Sequence, residues 1–472
     1  IARELNSLQE ASRVPLLISV DFEKGAGTYV DGATDLPSNM ALGASRNTDL
    51  VTKAAAITAQ EARALGIHVN FAPVLDVNNN PLNPVINVRS YGENPALVAR
   101  LAIAAVKGSQ ENGLLATSKH FPGHGNTSTD THSSLGSIDG GPETFENVEL
   151  LPYKEVLSKT GLVNVMTAHL WVKALDADTI PATLSANVIT GLLRKRLKFD
   201  GVVYTDAMVM GGITTRFSFS EAVVKALQAG CDVVLFPGSV EQGVESIKTA
   251  LKEGRLSEGR INESVRRILE SKSRAGLNRT KTVDIDRIKE SVGTPEHYKL
   301  ALTIASECLT LVKDERKLLP LDTTKRILVL AMSNREGNSM VSRGLVSFPE
   351  EMRKRSPSLV TYRLSDSLAT EERRSAVQLA GWADRVVIAA YVKIVLNSGT
   401  VGLTEAQKSF IEEITARNPN TVLISFGNPY IGATLATVST YICAFDNAKA
   451  LQEIAAEALS KSFLFKGKLP VS

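Results

Sequence analysis

Short apolar runs alternate with helical segments along the first half of the chain. Each run holds roughly four to eight nearly continuous hydrophobic residues, as expected for parallel strands covered on both faces. The intervening segments, such as 50–66 and 220–230, have helical spacing, and the second ends on a Gly suited to a helix C-cap. This alternation predicts βαβ units around a parallel sheet. The six runs read VPLLISVD, VNFAPVLD, LLATSKHF, VNVMTAHL, DGVVYTDA and CDVVLFPG.

The ends of these runs distinguish two architectures that share the pattern. A doubly wound sheet uses only the crevice at its switch point, whereas in a (β/α)8 barrel all strand ends meet at one mouth. Five of the six runs end on a reactive side chain, which favours a TIM-type (β/α)8 barrel. Since only six runs are clear and a helix precedes the first, we expect the first barrel strand to be missing from this chain. The strand-end residues are Asp21, Asp76, Lys119 with His120, His169 and Asp206.

The second half of the chain has a different organisation. Residues 240–276 have the spacing of two amphipathic helices, and the polar stretch 278–297 is typical of an interdomain connection. Further apolar runs follow, with little chemistry at their ends and no phosphate-binding glycine motif after any of them. We therefore predict a catalytic barrel at 1–277, a linker at 278–297 and a smaller three-layer αβα sandwich at 298–472.

Composition narrows the class of protein. Lys plus Arg number 53 against 50 Asp plus Glu, a net charge of +3, so no concentrated basic surface for nucleic acid is expected. No run of about 18 apolar residues occurs, so no membrane span is expected. The chain starts at Ile1 without a methionine, so we expect a fragment or a processed chain, and the absence of a signal peptide from it carries no information.

Residues 119–132, KHFPGHGNTSTDTH, contain three of the six histidines. His120 and His124 have the spacing of metal ligands on a helix, but Phe-Pro-Gly between them breaks a helix, and no metal or organic cofactor is expected. Asp130 and His132 are two apart, so in an extended segment the carboxylate can orient the ring as a general acid. A solvated loop is the alternative for this pair taken alone.

Asp206 ends a buried strand, where an unpaired carboxylate is costly. A carboxylate that faces a proton donor across a cavity is the arrangement that breaks a glycosidic bond. Asp206 would attack the anomeric carbon while the donor protonates the leaving oxygen. Around this pair, the residues expected to bind hydroxyls and an amide carbonyl are Asp21, Arg89, Lys119 and His120.

The segments FAPVLDV, RSYGENP, KHFPGHGNTSTDTH, VMTAHL and GVVYTDAM, in this order, resemble glycoside hydrolase family 3. The fourteen-residue motif is similar to that of the family's bacterial NagZ-type β-N-acetylglucosaminidases, because the family's glucosidases and xylosidases lack its Asp-x-His pair. TLVKDERKLLPL and FGNPY are similar to the αβα sandwich of two-domain members. The resemblance covers essentially the whole chain.

The resemblance implies that Asp206 is the nucleophile, His132 the acid/base and Asp130 its partner. His169 is also predicted to bind the substrate, although lining of the site and structural hydrogen bonding are equally compatible with the sequence. His124 is expected to shape the loop. The implied activity is that of a retaining exo-β-N-acetylglucosaminidase of exported bacterial type, acting on GlcNAc-containing muropeptides or oligosaccharides. The family's sugar-binding positions match Asp21, Arg89, Lys119 and His120.

One departure from the family pattern keeps other functions open. The family usually has Asp-Gln-Glu-Gly-Gly-Arg-Val-x-Arg, where this chain reads DFEKGAGTY. Ala26 and Tyr29 thus replace two arginines, one of which normally helps to hold the sugar. Specificity for another β-glycoside, phosphate as the acceptor instead of water, and a non-catalytic sugar-binding protein are the alternatives.

Overall fold

A computed structural model describes residues 1–138, 140–334, 347–394 and 401–472. These residues fold as two compact units. The first contains Ile1–Thr34, Thr48–Ile86 and Ser90–Pro295, and the second contains Asp35–Asn47, Asn87–Arg89 and Glu296–Ser472. Each unit therefore has its own core, and two short segments from the predicted barrel range belong to the second unit.

The first unit is built on a five-stranded parallel sheet in the order β1-β2-β3-β5-β7, beside a separate parallel pair, β4 and β6. Its core contains Val69, Phe71, Leu115, Met166 and Tyr204. Buried side chains on consecutive residues are what a parallel sheet covered on both faces requires. The strands are β1 (Ser19–Val20), β2 (Val69–Asn70), β3 (Leu115–Phe121), β4 (Gly136–Ile138), β5 (Asn164–Thr167), β6 (Leu170–Val172) and β7 (Val202–Tyr204).

Helices alternate with these strands. Helix Phe219–Ala229 begins after Ser218, whose hydroxyl accepts a hydrogen bond from the Glu221 amide, and ends at Gly230 with φ of +120°. The Gly at the predicted C-cap is therefore confirmed, since this backbone angle is easy only for glycine. The helices of the unit are Ala2–Ala11, Thr48–Ala64, Pro95–Glu111, Pro142–Thr144, Leu151–Lys159, Gly211–Thr214, Phe219–Ala229, Val240–Lys252 and Glu258–Arg274, with π-helices Phe145–Glu149 and Asn187–Arg196.

The run CDVVLFPG forms less strand than predicted. Its pairing with β7 consists of one parallel bridge, Tyr204 to Val233. The Thr205 amide donates to the Val233 carbonyl at 2.9 Å, and the Met208 amide donates to the Leu235 carbonyl at 2.9 Å. The run thus follows β7 in parallel, and its end lies beside the segment after Asp206.

The predicted linker 278–297 lies almost entirely within the first unit. Asn6 exchanges two side-chain hydrogen bonds with the backbone of Val283, at 2.8 and 2.9 Å. The Gly293 amide donates to the buried carboxylate of Glu61 at 2.9 Å. These long-range hydrogen bonds hold residues 278–295 to the first unit, and the predicted role of 278–297 as an interdomain connection stays a prediction.

The second unit contains a six-stranded sheet in the order β10-β9-β11-β12-β13-β8, parallel except for the antiparallel edge strand β8. The half-buried edge strand β10 was absent from the predicted runs, since LVTYR lacks a continuous apolar pattern. The helices are Asn39–Ser45, Pro295–Cys308, 347–353, Thr370–Trp382, Glu405–Arg417 and Lys449–Ser460. The strands are β8 (Thr310–Asp314), β9 (Ile327–Ser333), β10 (Leu359–Arg363), β11 (Arg385–Tyr391), β12 (Thr421–Ser425) and β13 (Thr440–Cys443). Over both units, none of the described helices is long and apolar enough to cross a membrane.

Candidate active site

Lys119, near the carboxyl end of β3, is held by two carboxylates. Its ammonium lies 2.6 Å from Asp21 Oδ1 and 2.7 Å from Glu23 Oε1, and its side chain is only 2% exposed. A buried ammonium requires such pairing. The Asp21 side chain is 50% exposed, so one carboxylate of this ion triad is open to a ligand.

Glu23 is a site residue that the sequence analysis missed. It follows Asp21 by two residues, the spacing that places both side chains on one side of an extended segment. Asp130 and His132 have the same two-residue spacing, so the sequence contains a signal for Glu23.

Asp76, at the end of the second predicted strand, is fully buried and organises the histidine loop. Its carboxylate lies 2.7 Å from His120 Nδ1 and accepts the His124 amide at 2.8 Å. Burial alone would raise the pKa of Asp76, but the His120 and His124 groups outweigh it, so the pKa lies below its ordinary value. Asp76 is therefore an ionised anchor that sets the orientation of the His120 ring.

The His124 ring connects the start of the loop to its end. Its Nε2 lies 2.9 Å from the Thr131 hydroxyl, one residue before His132. The expectation that His124 shapes the loop is confirmed.

Asp130 and His132 form the predicted dyad. Asp130 Oδ1 lies 2.8 Å from His132 Nδ1 and also accepts the His132 backbone amide at 2.9 Å. The His132 side chain is 30% exposed, whereas Asp130 is nearly buried. An imidazole oriented through Nδ1 by a carboxylate presents Nε2 outward, which is the geometry of a general acid or base.

Asp206 follows β7 and is partly exposed. Its Oδ1 accepts the Ala207 amide at 2.7 Å. Burial would raise the pKa of Asp206, but His120, His169, the Ala207 amide and Lys119 together hold it below its ordinary value. Asp206 is thus an anion at neutral pH, as a nucleophilic carboxylate must be.

Two glycines bring the dyad loop onto the segment that follows Asp206. The amides of Gly211 and Gly212 donate to the carbonyls of His132 and Thr131, at 2.9 and 3.0 Å. A Cβ at Gly211 would lie 2.2 Å from the Ser133 carbonyl oxygen, so only glycine permits this approach. The dyad and Asp206 are therefore joined through one short, tightly packed segment.

The His169 ring is buried beneath this arrangement. Its Nδ1 lies 2.8 Å from the Thr183 hydroxyl, and its Nε2 lies 3.1 Å from the Ala207 carbonyl. Burial lowers the pKa of His169, while the charge of Asp206 opposes this shift and that of His132 adds to it. Both ring nitrogens are occupied by protein groups, so the contacts favour the structural alternative for His169 over the predicted sugar contact.

Arg89 lies in the short 3-10 turn Asn87–Arg89, which belongs to the second unit. Its carbonyl accepts Asn39 Nδ2 at 2.7 Å. Its predicted role at the sugar stays a prediction. Among the residues that the structure describes, no group of three or more His, Cys, Asp or Glu side chains has the arrangement of a metal site.

Glu149 is a second buried carboxyl beside the histidine loop. Its side chain packs against Gly123, where an added Cβ would lie 2.8 Å from Glu149 Cβ. The Glu149 side chain is only 2% exposed. Burial raises the pKa of Glu149 to about 7, an effect that its own backbone and Asn79 reduce only in part.

We expect Glu149→Gln to change how stability depends on pH. An unfolded Glu loses its proton near pH ~4.3, whereas native Glu149 keeps it up to about pH 7. The wild type therefore loses stability as pH rises between these values, by about 4 kcal/mol in total, of which about 3 kcal/mol falls between pH 5 and pH 8, and the variant lacks this loss. Urea unfolding at pH 5 and pH 8 measures it, with the exposed Glu143→Gln as control. Parallel profiles for wild type and Glu149→Gln would contradict the prediction.

A parallel α/β unit that carries an anionic aspartate and a fixed lysine at its strand ends, and a His–Asp dyad on the loop between β3 and β4, has the form of a barrel glycosidase site. Residues 2–271 match the family model of the glycosyl hydrolase family 3 N terminal domain. The chain belongs to glycosyl hydrolase family 3, whose N-terminal domain is a TIM-type α/β barrel. The family predicted from the motifs is confirmed.

Curated relatives have related names. Beta-hexosaminidase A of Pseudoalteromonas piscicida is 34% identical over 360 residues, which cover 70% of this chain and 60% of that protein. The Beta-N-acetylglucosaminidase/beta-glucosidase of Cellulomonas fimi is 33% identical over 352 residues, covering 73% of this chain and 62% of that protein. The chain thus spans about 60% of the length of these two relatives.

Solved structures are similar over the whole chain. A family 3 beta-N-acetylglucosaminidase from Paenibacillus sp. str. FPU-7 is 35% identical, with a TM-score of 0.90 and coverage of 100% of this chain and 89% of that one. Beta-glucoside phosphorylase BglX is 28% identical, with a TM-score of 0.88 and coverage of 100% and 87%.

Proposed function

We propose that this protein is a retaining exo-glycosidase that removes terminal β-linked N-acetylglucosamine from peptidoglycan-derived saccharides. The observation that carries the proposal is the connection between anionic Asp206 and the His132–Asp130 dyad through residues 206–212. The names of the hexosaminidase and N-acetylglucosaminidase relatives support the choice of sugar.

In the first step, an Asp206 carboxylate oxygen attacks the anomeric carbon as the bond to the leaving oxygen breaks, and His132 gives its proton to that oxygen. A covalent glycosyl–Asp206 intermediate results. In the second step, His132 takes a proton from water, the water oxygen attacks the same carbon, and the bond to Asp206 breaks. Two inversions give net retention. Asp130 orients the His132 ring throughout.

The remaining site residues bind and orient the sugar. Asp21 is the exposed carboxylate for a sugar hydroxyl, and Lys119, fixed by Asp21 and Glu23, donates hydrogen bonds beside it. The His120 ring, which Asp76 orients through Nδ1, is the imidazole of this set. The resemblance adds Arg89 to these contacts. His169 acts through Ala207, next to the nucleophile, as a positioning residue.

We also propose that the second unit is the three-layer αβα sandwich of two-domain family members. Its six-stranded, mostly parallel sheet supports this assignment, because parallel connections place helices on the sheet faces. The predicted supporting role of this unit remains part of the proposal.

Two alternatives share the same machinery. The relative from Cellulomonas fimi is named for both N-acetylglucosaminidase and glucosidase activity, and BglX is named a phosphorylase. The replacement of two family arginines by Ala26 and Tyr29 bears on the same question, because it changes the surroundings of Asp21. Another β-glycoside as substrate, or phosphate as acceptor, is therefore the second candidate.

We expect the protein to release nitrophenol from 4-nitrophenyl β-N-acetylglucosaminide faster than from the β-glucoside, and without added phosphate. Absorbance assays with both substrates, with and without inorganic phosphate, measure this. NMR of the first product should show the β-anomer. A faster β-glucoside reaction would overturn the substrate assignment, formation of sugar 1-phosphate would identify a phosphorylase, and an initial α-anomer would exclude retention.

A further inference from the structure

Phe236 has an unfavourable backbone conformation and an exposed ring. Its φ is +43°, in the left-handed region that bulky residues rarely adopt. Its side chain is 65% exposed, although residues 231–235 of the same run are buried or half-buried, as in a parallel sheet covered on both faces. Strain of this kind persists where the surrounding structure enforces it, and it concentrates at functional sites.

Phe236 lies on the rim that carries the candidate active site. The Tyr204–Val233 bridge sets the register, in which Asp206 is opposite Leu235, and the Met208 amide donates to the Leu235 carbonyl. Phe236 is therefore adjacent to the segment that starts at the candidate nucleophile. The Gly211 and Gly212 amides of this segment donate hydrogen bonds to the dyad loop. Residues 206–212 therefore connect Phe236, Asp206 and His132 along one rim of the unit.

Val209 adds a second exposed apolar side chain to this rim. It is 56% exposed, and a Cβ at Gly238 would lie 4.0 Å from Val209 Cγ1, so the side chain lies close to the turn that follows Phe236. Val240, at the start of the next helix, is also exposed. Neighbouring exposed apolar residues of this kind mark ligand-binding surfaces more often than isolated ones do.

We infer that Phe236, together with Val209, forms the platform for the leaving-group part of the substrate. This inference rests on the proposed function. The group attached through the scissile oxygen must lie beside the carbon that Asp206 attacks and must extend toward solvent, which is where the Phe236 ring is exposed. A saccharide presents a flat face of C–H groups, and an aromatic ring offers a rigid apolar surface for it. Phe236 is then a specificity-determining residue for the leaving group.

A comparison of two ligands separates this role from binding of the terminal sugar. The probes are N,N′-diacetylchitobiose, which has a sugar in the leaving position, and free N-acetylglucosamine as a competitive inhibitor. For Phe236→Ala we expect the KM for the disaccharide to rise about 5- to 10-fold, as loss of one stacking contact predicts, with kcat changed less than about threefold. The inhibition constant of N-acetylglucosamine stays unchanged.

Phe236→Asn provides a second readout. Asn tolerates the left-handed conformation, so this variant should melt about 2 °C higher than the wild type while showing the same rise in KM. Leu269→Ala, which removes a similarly exposed apolar side chain from the helix Glu258–Arg274, is the matched control and should leave both values unchanged.

The outcomes are distinct. A KM for the disaccharide within twofold of the wild type in both Phe236 variants overturns the inference alone. An equal rise in the inhibition constant of N-acetylglucosamine also overturns it, because Phe236 would then contact the terminal sugar. A wild type that is inert toward both the nitrophenyl glycoside and the disaccharide overturns the proposed function, and this inference with it.

Discussion

Replacement of Asp206 by alanine is expected to lower kcat for 4-nitrophenyl β-N-acetylglucosaminide on the order of 10⁴-fold or more, since no covalent intermediate can form. The carboxylate needs no further activation, because His120, His169, the Ala207 amide and Lys119 outweigh the effect of burial on its pKa and keep it ionised. Steady-state kinetics with wild type and variant measure the loss.

Two further measurements make the Asp206 prediction specific. Azide added to Asp206→Ala should restore turnover and give the α-glycosyl azide, because the small anion attacks from the face that the carboxylate has left. The exposed Asp178→Ala is the control and should retain wild-type activity. If Asp206→Ala keeps more than a tenth of the wild-type kcat, Asp206 is not the nucleophile. If wild type and variant are both inert and bind N-acetylglucosamine equally well, the protein is a sugar-binding protein.

Replacement of His132 by alanine is expected to lower kcat/KM for N,N′-diacetylchitobiose about 10²- to 10⁴-fold, the usual contribution of a general acid. The first step should suffer less with the nitrophenyl glycoside, because nitrophenolate leaves without a proton. Azide should again restore turnover, but now as the β-glycosyl azide, since Asp206 still forms the intermediate. Product anomers thus separate the roles of the two residues.

Two further variants test the His132 prediction: Asp130→Asn changes the partner of the His132 ring, and Ser134→Ala is the control in the same loop. Asp130→Asn keeps the size of the side chain but removes the carboxylate that orients the ring through Nδ1, so it should show a smaller loss with the same dependence on the leaving group. Ser134→Ala, at an exposed position two residues after His132, should have no effect. Equal losses on both substrates for His132→Ala would show that the residue does not protonate the leaving oxygen.

The sequence supported the class of fold because parallel strands and helices have different hydrophobic periods. The apolar runs that end at Asp21, Lys119 and Asp206 lie along strands of one parallel sheet. Family 3 membership confirms the barrel class. The missing first strand, the sandwich and the domain limits stay predictions or proposals. The hydrogen bonds that hold residues 278–295 to the first unit could not be predicted, because single hydrogen bonds leave no periodic signal in the sequence.

Local spacing predicted the parts of the site that lie close together in the chain. Asp130 and His132 are two residues apart, and their hydrogen bond follows from an extended backbone. His124 and Thr131 are likewise within one loop. The role of Asp76 was harder to predict, because its partners lie 44 and 48 residues further along the chain.

By itself, the sequence predicted which residues carry the chemistry and placed Asp21, Lys119 and Asp206 at the ends of apolar runs, because strand period and motif spacing are properties of neighbouring positions. Tertiary structure decided how those residues are held. It placed Glu23 on Lys119, turned both nitrogens of His169 to protein groups and put the Phe236 ring in solvent. These outcomes depend on burial, on contacts between distant strands and on one backbone angle, and none of the three is encoded in the order of apolar and polar residues.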